Sequence, residues 1–127
     1  MHIAHIALWV KDLEAMKSFY VRYFDGESNE KYINAGKQFE SYFIRFGEGA
    51  ALELMRKPAV SGPVAAEYQQ GLTHIAFKLG SEEAVLTLTE TLRRDGFKVV
   101  GEPRRTGDGY FESVVLDVEG NRIELVG

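Results

Sequence analysis

The segments AHIALWVKDLEAM (residues 4–16) and THIAFKLGSEEAV (residues 73–85) align with each other without a gap. His-Ile-Ala occurs at the same place in both segments, beginning at His5 in the first and at His74 in the second. A repeat of this kind indicates the architecture of the whole chain, because each copy of the repeat is expected to form one structural unit. The alignment therefore predicts a duplicated fold.

Further matches follow in the same order in both halves. Asp-Gly occurs at residues 25–26 and again at 95–96. Near the end of each half a glycine precedes a glutamate by four positions, in GAALEL (49–54) and in GNRIEL (120–125). Because the matches keep their order, we predict that residues 1–57 and 72–127 are two copies of one module within a single domain. Residues 58–71, which contain Pro58, Gly62 and Pro63, are then the linker.

Each half is predicted to form a strand, a helix and then three strands. The first strands are short apolar runs, and Asp12 and Ser81 stand where a helix N-cap belongs. Gly26 and Gly96 are expected to end the helices in the left-handed conformation. This pattern predicts an α+β fold of two βαβββ modules with curved mixed sheets. The expected strands are 5–10, 31–34, 38–46 and 50–56 in the first half, and 74–79, 98–101, 111–117 and 122–126 in the second.

The composition restricts the classes of function. The chain has 127 residues, a net charge of −4 and no cysteine, which excludes disulfides and thiolate metal sites. The acidic balance disfavours a nucleic-acid partner. Arg104 and Arg105 are expected in a solvated loop, at most as a clamp for a small anion. No run is apolar enough to span a membrane and no leader is evident, so we expect a cytoplasmic protein.

The repeat places two histidines and two glutamates in matching positions. Side chains alternate across a strand, so His5, Glu53, His74 and Glu124 are all expected on the sheet face away from the helix. A lone strand histidine is more often a core residue, and a Leu-Glu-Leu strand is more often half-solvated. The combination in register nevertheless favours one divalent-metal site, because buried carboxylates need a cation. Imidazole and carboxylate ligands suit nickel, cobalt, zinc, manganese or iron(II), and four protein ligands leave room for water or substrate.

These motifs resemble the vicinal oxygen chelate superfamily, which includes glyoxalase, bleomycin resistance and dioxygenase proteins. Within the superfamily they resemble glyoxalase I in particular. The resemblance covers nearly the whole chain, through HIALWV, ALEL, GLTHIAF and DVEGNRIEL. It implies paired βαβββ modules enclosing a metal site with His5, Glu53, His74 and Glu124 as ligands, often at a homodimer interface. It also implies a lyase or isomerase of the lactoylglutathione lyase type that moves a proton through a metal-bound enediolate, with Glu124 as base and Glu53 as its partner.

Two positions depart from the glyoxalase I pattern, which has an arginine where this chain has Trp9 and an asparagine where it has Lys57. The resemblance therefore implies a small carbonyl substrate, such as a 2-oxoaldehyde adduct, without implying glutathione. The substrate-binding candidates are aromatic, polar or cationic side chains expected near the site: Trp9, Phe39, Ser41, Phe43, Lys57, Arg105 and Tyr110.

Three other functions stay open at this point. An iron(II) ring-cleaving dioxygenase needs a similar histidine–carboxylate set, although only one carboxylate. A protein that sequesters a drug or antibiotic in a dimer cleft needs no metal ligands. Thiol transfer to an antibiotic such as fosfomycin is a further activity in this superfamily, in a branch without a first-half glutamate ligand.

Overall fold

The computed structural model describes residues 1–127, which divide into two units, Met1–Pro63 and Val64–Gly127. The boundary falls inside the 58–71 stretch. None of the helices is both long and apolar enough to cross a membrane.

The first unit contains a mixed sheet packed against one helix. Its elements are β1 (His5–Trp9), α1 (Leu13–Phe24), β2 (Glu27–Ser28), β3 (Tyr32–Asn34), a 3₁₀ turn (Ala35–Lys37), β4 (Phe39–Arg45) and β5 (Ala51–Arg56). In it, β1 pairs with β5 in parallel, and β4 pairs antiparallel with β5, β2 and β3. Because β2 and β3 both pair with β4, they form one interrupted strand, and Asn29 bridges the gap by hydrogen bonds to the backbone of Phe43 at 2.8 and 3.1 Å. The predicted βαβββ order is thus confirmed.

The second unit repeats this order with four strands. Its elements are β6 (Ile75–Lys78), α2 (Glu82–Arg94), β7 (Val99–Arg105), β8 (Phe111–Leu116) and β9 (Arg122–Val126). The strand order in its sheet is β6-β9-β8-β7, with β6 parallel to β9 and the other pairs antiparallel.

The prediction of a loop at Arg104 and Arg105 was wrong, because both residues lie in β7. Pro103, which precedes them, favours a loop, since proline cannot donate a ladder hydrogen bond. An edge strand tolerates this loss, and β7 is the edge of its sheet, with register shifts between Val99 and Arg104 that take up the irregularity.

The helix starts are as predicted, while one helix end is not. The side chain of Asp12 accepts a hydrogen bond from the Ala15 N–H at 2.9 Å, and Ser81 caps α2 in the same way. Gly96 has the expected positive φ of 93°, but in α1 the left-handed residue is Asp25, with φ of 52°. Gly26 serves another purpose, because a Cβ at this position would lie 2.5 Å from the Ile44 methyl group.

Alternation along the central strands fixes which side chains face the helices. Leu52 and Leu54 on β5 and Ile123 and Leu125 on β9 are buried, with exposures of 2% or less. Burying each such side chain contributes about 1.5–3 kcal/mol, so a one-residue register slip would be costly. The residues between them, Glu53 and Glu124 among others, are thereby held on the opposite face of each sheet.

Candidate metal centre

In the first unit, His5 and Glu53 lie on the same face of the sheet. Ala7 is the register partner of Glu53, and His5 is two residues before Ala7 on the same strand, so both side chains point the same way. His5 Nε2 lies 3.6 Å from Glu53 Oε2. The imidazole is 46% exposed and the carboxylate 17%, so the pair is open at the histidine and sheltered at the glutamate.

The second unit repeats this arrangement. Ala76 is the register partner of Glu124, and His74 immediately precedes β6, which begins at Ile75. His74 Nε2 lies 3.7 Å from Glu124 Oε2, with exposures of 41% and 17%. The duplicated sequence therefore yields duplicated geometry, including the degree of exposure of each side chain.

The separation within each pair is compatible with shared coordination of one ion. Nitrogen–oxygen hydrogen bonds are usually about 2.7–3.2 Å long, shorter than the 3.6 and 3.7 Å observed. Adjacent ligands that are each about 2.1 Å from one ion lie roughly 3.0–3.4 Å apart in octahedral or tetrahedral geometry. A few tenths of an ångström would bring either pair to that spacing, so nitrogen and oxygen donors of this kind fit a divalent transition metal.

The structure brings the four predicted ligands together as two pairs, one within each unit. No group of three or more histidine, aspartate or glutamate side chains is arranged to hold a metal ion. Each unit therefore presents one histidine–glutamate pair, a candidate half-site.

Aromatic side chains surround the pair in the first unit. Phe43 is the register partner of Glu53, and its ring meets the His5 ring edge-on at a centroid distance of 5.4 Å. Farther along the same face, Trp9 meets Phe39 edge-on at 6.2 Å. Ser41 shares this face and is 2% exposed. Four of the predicted substrate-binding residues thus lie on the same face as His5 and Glu53.

Arg56, the last residue of β5, and Lys57, which follows it, differ in what they contact. The Arg56 guanidinium contacts Glu40 at 3.3 Å and donates to the Lys11 carbonyl at 3.1 Å. Lys57 instead lines a cleft of about 310 Å³ together with Trp9. Of these two cations, Lys57 is the one that lines the cleft beside Trp9.

The two candidates in the second unit lie away from its histidine–glutamate pair. Arg105 forms an ion pair with Glu82 and donates to the Gly109 carbonyl at 3.0 Å. Its register partner Phe111 alternates with the face that carries Glu124, so Arg105 points to the helix side. Tyr110 lies in the β7–β8 hairpin with its side chain 57% exposed.

The sequence did not predict an ion pair on the face of the second sheet that carries Glu124. Arg104 contacts Glu112 at 2.9 Å, and the Glu112 carboxylate is 13% exposed. Glu112 is the register partner of Val126, which shares its face with Glu124. The alternation of residues 110–116 could have placed Glu112 there, whereas Arg104 had been assigned to a loop.

A second feature missed from sequence is a cleft of about 580 Å³ beside His5. Its walls are residues 2–5, Phe43, Arg45 and the β4–β5 hairpin, residues 47–51. His2 also lines this cleft and is exposed.

Comparisons with known proteins agree with this architecture. A family model described as Glyoxalase/Bleomycin resistance protein/Dioxygenase superfamily matches residues 2–125. The uncharacterized protein YqjT of Bacillus subtilis is 27% identical over 125 residues, covering 96% of this chain and 95% of that protein.

Solved structures of the same fold include a possible glyoxalase from Bacillus cereus and glyoxalase I from Zea mays. The former has a TM-score of 0.75 and 28% identity, covering 100% of this chain and 99% of that chain. The latter has a TM-score of 0.81 and 22% identity, covering 98% of this chain and 44% of that longer chain.

Proposed function

This chain belongs to the glyoxalase/bleomycin resistance protein/dioxygenase superfamily, and we propose that it is a divalent-metal-dependent lyase or isomerase of the glyoxalase I type. Its substrate would be a small carbonyl compound, such as the adduct of a 2-oxoaldehyde. One observation carries the proposal: two duplicated units each hold a histidine nitrogen and a glutamate oxygen at nearly the same separation, 3.6 and 3.7 Å.

The ligands of the metal would be His5, Glu53, His74 and Glu124. Two neutral imidazoles and two carboxylates balance the charge of a divalent ion, and the donor set suits nickel, cobalt, zinc, manganese or iron(II). The metal, when bound, supplies Lewis-acid stabilisation of an oxyanion that develops on the substrate. Each imidazole is more than 40% exposed, so the histidine side of each half-site remains accessible.

Proton transfer would be carried by the glutamates. Glu124 removes a proton from the carbon next to the carbonyl and returns it to the neighbouring carbon, with Glu53 as its partner. Both carboxylates are 17% exposed. The register partner of Glu124 is Val114 on β8, and that of Glu53 is Phe43 on β4. Apolar neighbours limit the access of water to a carboxylate, which favours its action as a base toward a carbon acid.

The substrate would rest against the aromatic face of the first unit. Trp9, Phe39 and Phe43 offer apolar ring edges, and Lys57 adds a cation beside Trp9. At position 9, where the glyoxalase I pattern has an arginine that binds glutathione, this chain has Trp9. We therefore expect the substrate to carry a thiol other than glutathione, or no thiol. Arg105 and Tyr110 belong to the substrate site only if the β7–β8 hairpin moves toward the substrate when it binds.

We expect the complete centre to form in a homodimer. In each site, His5 and Glu53 of one copy would bind the same ion as His74 and Glu124 of the second copy. Two protein ligands rarely hold a catalytic metal, whereas three or four do. This arrangement gives two metal ions per dimer.

Mixed dimers test this assembly. One variant carries His5→Ala and Glu53→Gln, the other carries His74→Ala and Glu124→Gln, and differently tagged copies are co-expressed. The mixed dimer is expected to keep one intact site and therefore one metal ion, while each parent homodimer keeps none. A metal-free mixed dimer, or a chain that stays monomeric, would contradict assembly across two copies.

Turnover tests the chemistry. Metal-loaded protein is assayed against adducts of 2-oxoaldehydes with several thiols, following exchange of the substrate carbon-bound hydrogen with solvent by NMR. We expect metal-dependent exchange and product formation that Glu124→Gln abolishes. Glu30→Gln, which removes the same charge at an exposed loop position, is the matched control. Full exchange in the Glu124→Gln protein would remove Glu124 as the base.

A further inference from the structure

A row of three side chains crosses the sheet of the first unit at the level of His5. His5 is the register partner of Ala51, and the pairing of Ile44 with Leu52 places Arg45 beside Ala51 on the other side. Ala51 has a single methyl group, so the space above it, between the imidazole and the guanidinium, stays open. This space belongs to the cleft of about 580 Å³.

Arg45 differs from the other arginines of the first unit in having no partner for its charge. Arg56 contacts Glu40 at 3.3 Å, and Arg22 lies over the Tyr23 ring at 5.0 Å. Arg45 is exposed and forms no ion pair, although Glu27 is its register partner on β2. Its guanidinium, which has five hydrogen-bond donors, is therefore available to a ligand.

The corresponding row in the second unit has larger side chains beside the histidine. Arg122 occupies the position of Ala51, and its register partner Leu116 occupies the position of Arg45. The Arg122 charge is neutralised by Glu67 at 2.8 Å. The two units thus share their histidine and glutamate positions but differ in the row beside the histidine, where only the first unit combines an open space with an unpaired cation.

We propose that this cleft is a subsite for an anionic group of the substrate and that Arg45 binds it. The inference rests on the proposed function and narrows its substrate class to carbonyl compounds that carry an additional carboxylate. His5 and Arg45 are two strand spacings apart, roughly 9–10 Å between Cα atoms. A short carbon chain can therefore link the reacting carbonyl, beside His5 and Glu53, to a carboxylate held bidentately by Arg45. Glu48, which also lines the cleft, weakens this attraction by repulsion.

A matched pair of probes tests the subsite. 2-Oxoglutarate and 2-oxopentanoate share the 2-oxo acid group and the chain length, and only the former has a distal carboxylate. Dissociation constants are measured by calorimetry for the metal-loaded wild type, Arg45→Gln, Glu48→Gln and the control Arg22→Gln, which removes one positive charge outside the cleft.

The wild type is expected to prefer 2-oxoglutarate, and Arg45→Gln to weaken its binding by about tenfold or more, the usual effect of losing a charged hydrogen bond. Binding of 2-oxopentanoate should change little. Glu48→Gln should tighten 2-oxoglutarate binding, and Arg22→Gln should leave it unchanged. Equal affinity of the wild type for both probes, or an undiminished preference in Arg45→Gln, would overturn the proposal.

Metal content measured in the same samples separates this inference from the proposed function. A metal-loaded protein whose preference does not depend on Arg45 refutes the subsite and leaves the metal centre standing. A protein that binds no metal refutes the proposed function. In that case the same pair of probes, titrated by NMR into the metal-free protein, still decides whether Arg45 selects the distal carboxylate.

Discussion

Binding of a metal ion by the four proposed ligands should raise the melting temperature of the protein. A ligand that binds only the folded state at a hundred times its dissociation constant stabilises it by about 2.7 kcal/mol. With about 2.1 cal/mol/K of unfolding entropy per residue, the 127 residues of the chain have an unfolding entropy of about 0.27 kcal/mol/K. We therefore expect the melting temperature to rise by about 10 °C at that metal concentration.

The Glu53→Gln variant should lose most of this shift. Changing a residue that only orients a metal ligand lowers the metal affinity by about 10–100-fold. Replacing a ligand itself should therefore lower the affinity by about a hundredfold or more. At the same metal concentration about 0.4 kcal/mol then remains, or a shift of one to two degrees. Glu30→Gln has the same charge change and should keep the full shift, while magnesium, which prefers oxygen ligands, should shift neither protein.

Circular dichroism at increasing concentrations of nickel, cobalt, zinc and manganese measures these shifts. The same shift in the wild type and the Glu53→Gln variant would refute the assignment of Glu53 as a ligand. The absence of a shift with each of these ions and with iron(II) under anaerobic conditions would refute the metal centre.

Three further predictions concern the scaffold. Gly26→Ala should destabilise the protein by about 1–3 kcal/mol in urea unfolding, because the new methyl group would lie 2.5 Å from an isoleucine methyl of β4. The Thr89 hydroxyl donates to a helix carbonyl at 2.6 Å, so Ser113 must be the donor in their 2.7 Å contact. Thr89→Val should then cost about 1–3 kcal/mol by orphaning Ser113, and the double variant with Ser113→Ala should be nearly neutral, whereas additive losses would argue against this pairing. The pKa of Glu14 is lowered by its hydrogen bond from Lys31, so its contribution to stability is present at neutral pH and is lost as the pH falls through the folded-state pKa. The stability difference between Glu14→Gln and the wild type should therefore shrink in acid, and a constant difference would contradict it.

The sequence predicted the module order because the repeat carries its own signals. The histidine strands, the N-caps Asp12 and Ser81, and the glutamate strands each have a local cause, namely apolar alternation or a capping side chain. Most strand bounds differ by a residue or two, as at β6, which covers residues 75–78 instead of 74–79. The exception is β7, which was expected to end at residue 101 and extends to Arg105.

The errors arose where packing overrides local preference. Asp25 adopts the left-handed conformation because Gly26 is needed where its lack of a side chain lets the chain approach Ile44. β7 extends through Pro103 because an edge strand needs no hydrogen bond on its free side. Neither fact is visible from the sequence of the segment concerned.

The candidate site was predictable to the extent that strand alternation determines it. The shared face of His5 with Glu53, and of His74 with Glu124, follows from residue spacing once the parallel pairing of first and last strands is known. The open space beside Arg45 does not follow in this way, because it depends on the register that aligns Ala51 between Arg45 and His5. Such cross-strand rows join residues from distant segments, and sequence spacing alone does not define them.

Elemental analysis tests the central claim most directly. The wild type and the His5→Ala, Glu53→Ala, His74→Ala and Glu124→Ala variants are loaded with a divalent transition metal and desalted, and the metal content per chain is measured. Ligation of one ion by both histidine–glutamate pairs predicts one ion per chain in the wild type and a loss of most of it in every variant. A metal-free wild type, or one ion per chain retained in both histidine variants, would contradict it.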